Sequence, residues 1–88
     1  MITTQQVTAI AAKIAASGVD ESTVLTLRQE YQPIHFTYCM DDDLPNNTPI
    51  IEHKGFNLYL IDGREHCLCL TNDYDAATGI IVAETVPD

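Results

Sequence analysis

Basic residues are scarce in this chain: four Lys and Arg stand against thirteen Asp and Glu, a net charge of −9 over 88 residues. Such an excess repels phosphate backbones and anionic headgroups, so nucleic acid and membrane are poor partners, while a basic protein or a cation is not. The imbalance is uneven, with three acids and two bases in residues 1–40 but ten acids and two bases in residues 41–88. Long apolar runs are missing too, and none approaches the roughly 20 residues of a membrane-spanning helix. The N-terminus lacks the basic and leucine-rich segments of a secretory signal. Cysteine is sparse and odd in number: Cys39, Cys67 and Cys69. That argues against a disulfide framework and for reduced thiols in a cytoplasmic protein. A nucleophile elbow, a phosphate loop, an HExxH pair and a dinucleotide glycine pattern are all absent. A chain this short has little room for a deep pocket, so a non-enzymatic role is expected.

What is present suits one small globular domain, residues 1–88, with an ordinary apolar fraction of 45%. Thr3 and Gln6 stand at capping-box spacing, and Val7, Ile10, Ala11 and Ile14 follow at helical intervals. Gly18 suits the end of that helix, and Asp20 suits the cap of the next. Val24, Leu27 and Tyr31 continue the helical spacing until Pro33 stops it. Two helices near 4–17 and 20–32 therefore form a helical hairpin.

At Ile34 the period changes from 3.6 to 2. Residues 34–40 alternate, with Ile34, Phe36, Tyr38 and Met40 on one face and His35, Thr37 and Cys39 on the other. Residues 41–49, DDDLPNNTP, read as a loop, and residues 50–55 lead onward from it. Two β-prone runs, near 56–62 and 66–71, flank an Asp62-Gly63 step that signals a hairpin. Asn72 can cap a short helical turn that Gly79 ends, and residues 80–86 make a last strand. The expectation is an α+β fold: a helical hairpin on one face of a small antiparallel sheet of about four strands.

Three stretches, CMDDDLP, FNLYLIDGREHCLCLT and AATGIIVAE, resemble a small proteobacterial family of uncharacterised function associated with nitrogen-fixing bacteria. The resemblance covers most of the chain after the helices, from Phe36 to Glu84. It implies an accessory role near nitrogen fixation or metallocluster biology and carries no activity, cofactor or site residue with it.

Two functional readings follow. Hairpin parity decides the first, because a one-residue slip flips a whole strand. An odd loop would set His66, Leu68 and Leu70 with Phe56, Leu58 and Leu60, and Cys67 and Cys69 with Tyr59 and Ile61. Grouping the large apolar residues against the helices favours the odd loop, although an even one stays open. The far face would then gather His35, Cys39, Cys67 and Cys69, a donor set for a thiolate-bound metal in a metal- or cluster-delivery protein. Cysteine is more often a small core hydrophobe, and CxC is not the CxxC knuckle, so no resident cofactor is the default expectation. The second reading is a small acidic interaction protein. Its far face, with Tyr59 and Ile61, is too apolar to sit bare, so a protein partner or a homodimer covers it. Asp41, Asp42 and Asp43 form a solvated acidic turn that steers a basic partner.

Overall fold

The computed structural model describes residues 2–44, 46–63 and 69–85. The helices follow their capping signals. Thr3 Oγ1 accepts from the Gln6 N–H and Gln6 Oε1 from the Thr3 N–H, a reciprocal box that starts α1, Thr4–Ser17. Gly18 closes it at φ 106°, a left-handed conformation that glycine adopts without penalty. Asp20 then accepts from the Thr23 N–H at 2.8 Å and opens α2, Glu21–Glu30. Val7, Ile10, Ala11 and Ile14 of α1 and Val24 and Leu27 of α2 are buried, as their spacing requires.

Five strands follow: β1 His35–Met40, β2 Ile51–His53, β3 Phe56–Asp62, β4 Cys69–Thr71 and β5 Gly79–Glu84. The sheet order is β1-β5-β3-β2, and β4 shares β3's outer margin with β2. β3 runs antiparallel to β2, β4 and β5, but β1 lies parallel to β5, so the sheet is mixed and not wholly antiparallel. β2 is a further correction: residues 51–53, expected only as a lead-in, fold back on β3 through the two-residue turn Lys54-Gly55. Gly55 takes φ 94° there, which a tight hairpin favours.

The hairpin after β3 also differs from expectation. Asp62 pairs with Cys69 and Ile61 with Leu70, which leaves an even loop of residues 63–68. Leu70 therefore shares a face with Tyr59 and Ile61, while Cys69 shares the helix-side face with Leu60 and Leu58. Residues 66–68 of the expected strand, and residue 86 of the last one, lie outside the described residues. The expected helical turn over 73–78 is an irregular turn: the Asp73 carbonyl accepts from the N–H groups of both Ala76 and Ala77. Asp73, not Asn72, holds it, through a side-chain bond to the Asp75 N–H, and Gly79 opens β5.

Both faces of the central strands are buried. The helix side packs Phe36, Phe56, Leu58, Leu60, Ile80 and Val82 against α1 and α2. The far side holds a second cluster of Tyr59, Ile61, Ile81 and Ala83, against which Cys39, Leu44 and Leu70 pack. Because β1 and β2 sit on opposite margins, the chain from Asp41 to Ile50 crosses the sheet, and it lays Leu44 on this far side.

Gly79 sits between β1 and β3, paired to His35 and to Ile61. A Cβ there would stand 2.8 Å from the His35 carbonyl oxygen and 3.0 Å from the Ile61 side chain. Overpacking of this kind costs typically about 1–3 kcal/mol. Gly79→Ala should lower unfolding stability by that amount in urea denaturation, and a loss under about 0.5 kcal/mol, the range of an ordinary surface change, would show that β1 is not held as described.

Candidate functional site

The sulfur and imidazole donors are dispersed. His35 and Cys39 share the far face of β1 but stand four residues apart, roughly 13 Å along a strand. Cys69 lies three strands away on the helix-side face, opposite Asp62. The even loop thus separates Cys39 from Cys69, which the odd loop would have placed together, and Cys67 lies outside the described residues. Among the described residues no three His, Cys, Asp or Glu side chains gather closely enough to hold a metal ion. Burial, then the negative charges of Asp43 and Asp41, push the Cys39 thiol above its ordinary pKa. That is the reverse of an activated thiolate.

The acidic stretch divides by function. Asp41–Asp43 form one turn of 3-10 helix directly after β1. Asp41 is half-buried, and its Oδ1 accepts from Tyr59 Oη at 2.8 Å and from Asn57 Nδ2 at 3.0 Å. Asp41 is therefore an anchor and not part of a solvated turn, whereas Asp42 and Asp43 are exposed. Tyr59 is only 3% exposed and Ile61 6%. They are not an open docking face, because the crossing segment and the second cluster already enclose them. Burial, followed by the hydrogen bond to Asp41, pushes the Tyr59 phenol up to about 12.

A third constellation escaped the sequence pattern. Tyr38 Oη donates to Glu84 Oε1. That bond first, then burial, then the charges of Glu84, Glu21 and Asp20 raise the Tyr38 pKa. Glu84, bonded to Tyr38, and Glu21 of α2 thus set two carboxylates beside Tyr38. Beside them lies a hollow of 490 Å³ between α2 and β1, lined by Glu21, Val24, Leu25, Arg28, Thr37 and Tyr38. Leu25 is 53% exposed, the one large apolar side chain so exposed among the described residues. Its sequence signal is an apolar residue off the Val24, Leu27, Tyr31 stripe, a cue that a period-based reading passes over.

These features define a small acidic α+β domain whose far sheet face is closed by its own chain and whose β1 edge carries a groove. Residues 8–85 match the model of a family of unknown function, DUF6129, and the chain belongs to that family. No curated protein and no solved structure matches it. No helix among the described residues is long and apolar enough to cross a membrane.

Two expectations follow for the anchor. Asp41→Ala leaves the buried Tyr59 hydroxyl without its acceptor and should cost about 1–3 kcal/mol. Asp42→Asn with Asp43→Asn should stay within about 0.5 kcal/mol, as exposed substitutions do; equal losses in urea unfolding would contradict the division. The second concerns alkaline pH. An unfolded tyrosine ionises near pH 10, and Tyr59 in the folded chain near 12. Because the folded value is the higher, the stabilisation is fully present below about pH 10 and is lost as pH rises through the folded value. Unfolding curves collected across that window should fall steeply for the wild type and less so for Tyr59→Phe. Identical profiles would disprove the coupling.

Proposed function

We propose that this chain is a non-enzymatic interaction protein that binds a basic protein partner through its acidic surface. The observation that carries this reading is the presentation of Asp42 and Asp43. They stand exposed on a turn whose first residue, Asp41, is bonded to the sheet through Asn57 and Tyr59. Charges on an anchored turn keep one orientation toward an approaching partner and raise its association rate. The net charge of −9 supports the sign of that partner and weighs against a homodimer, in which two such charges would meet. Cys39 supports the non-enzymatic part, since its thiol is held protonated. The odd cysteine count supports a cytoplasmic location. An accessory role near nitrogen fixation or metallocluster biology extends the reading on the strength of the resemblance alone.

The test is kinetic. A partner recovered by affinity capture from a native lysate would be measured against the wild type and the Asp42→Asn, Asp43→Asn double variant, with Asp41 retained to preserve the fold. The variant should associate more slowly and with a flatter dependence on salt, because exposed charges act over a screening length of about 8 Å at physiological ionic strength. Rates that match the wild type at every salt concentration would rule out steering by this turn.

A further inference from the structure

We propose that the outer edge of β1, with the groove between it and α2, takes an extended segment of a basic protein partner as an added strand. The inference rests on the basic-partner reading above and assigns that partner a site.

Backbone chemistry is its first support. β1 is the last strand of the sheet on its side, and no strand among the described residues pairs with its outer edge. The His35 N–H donates inward to the Thr78 carbonyl. Strand alternation then turns the N–H and C=O groups of Phe36 and Tyr38 and the N–H of Met40 outward, while the Met40 carbonyl caps the 3-10 turn that follows. Arg28 Nε donates to the Phe36 carbonyl at 3.1 Å, which independently confirms that this group faces away from β5. A row of outward amides and carbonyls is the template on which an extended peptide adds as a further strand.

The groove supplies what backbone pairing alone does not. The hollow beside Tyr38 meets a second one, of 740 Å³, at Arg28 and Thr37, and that one continues along the strand toward Phe36, His35 and Pro33. α2 presents the exposed Leu25 to the first hollow, a seat for an apolar side chain of the incoming segment. Glu84 accepts from Tyr38 Oη and Glu21 lines the same hollow, and the two carboxylates make a seat for a Lys or Arg. Arg28 already satisfies the Phe36 carbonyl, so pairing concentrates on Tyr38 and Met40. The occupant is thus an extended segment that carries a basic and an apolar residue two positions apart, so that both side chains point to the helix side. A second copy of this chain would bring its own carboxylates to the same place, against the charge.

The test uses a defined probe, the capped octapeptide Lys-Thr-Val-Thr-Lys-Thr-Val-Thr, whose Lys and Val share one strand face, and the same peptide with every residue's backbone nitrogen methylated. Both carry the same charge, but the second cannot donate along that edge. At low salt the unmodified peptide should slow hydrogen exchange of the Tyr38 and Met40 amides and leave those of Thr37 and Cys39, already paired with β5, unchanged. The methylated peptide should bind about tenfold more weakly, the scale of a hydrogen bond or two, and Leu25→Ala, an exposed site, should weaken the unmodified one several-fold. Equal binding of both peptides, with no protection along β1, would overturn this inference and leave the acidic-surface reading standing. If neither peptide binds, both readings are overturned. A dimer that forms without peptide and protects Tyr38 and Met40 would overturn the choice of occupant.

Discussion

β1 and β2 lie on opposite margins of the sheet, so the chain between them has to cross it. That constraint shapes most of the molecule. A crossing on the helix side would displace α1 and α2, so the segment runs over the far side and packs Leu44 against the cluster of Tyr59, Ile61, Ile81 and Ala83. The central strands are then covered on both faces. This is why β3 and β5 are near-continuous apolar runs and lack the alternation of a half-exposed strand. Two-sided burial in turn places a tyrosine hydroxyl in the interior, where it needs a partner. Asp41, the first residue of the crossing, accepts from it and from Asn57, so one carboxylate satisfies the buried polar groups and pins the start of the cover.

The helices were legible because their signals are local. The Thr3–Gln6 box, Gly18, Asp20 and Pro33 all act within a turn of the boundary they set, and the observed ends fall within two residues of those expected. The strands β1, β3 and β5 were legible for the same reason, since the period of β1 and the apolar, β-prone content of β3 and β5 lie in the strand itself. Strand order is not local. Parallel pairing of β1 with β5 joins residues 44 apart, His35 with Gly79, and no feature of either segment announces the other. β2 is three residues long and turns on Lys54-Gly55, too short to show a period.

Parity failed through its premise. Grouping the leucines against the helices assumes a single buried face. Because the crossing segment closes the second face as well, Leu70 has an apolar destination beside Ile61, and the even register places it there. Cys69 moves to the opposite face from Cys39 as a direct consequence. The dispersal of the thiols, the burial of Tyr59 and Ile61 and the anchoring role of Asp41 share that one cause.

With its far face closed, the chain has its remaining unsatisfied surface at a margin. Edge strands invite pairing with other chains, and proteins commonly blunt them with charge. Here the blunting is partial. Arg28 reaches from α2 to the Phe36 carbonyl and occupies one site on β1, while the Tyr38 N–H and C=O and the Met40 N–H have no strand partner among the described residues. On the proposed reading, the acids at that end supply selectivity in place of closure. On that reading like chains repel there, because each brings Glu21 and Glu84 to the meeting point, and a neutral strand gains only the ladder bonds. A basic strand gains both. Such discrimination acts within a screening length of about 8 Å, and the carboxylates that act on Tyr38 stand beside the groove itself. On the proposed reading, the acidity expected to disfavour nucleic acid also disfavours self-pairing at this open sheet edge.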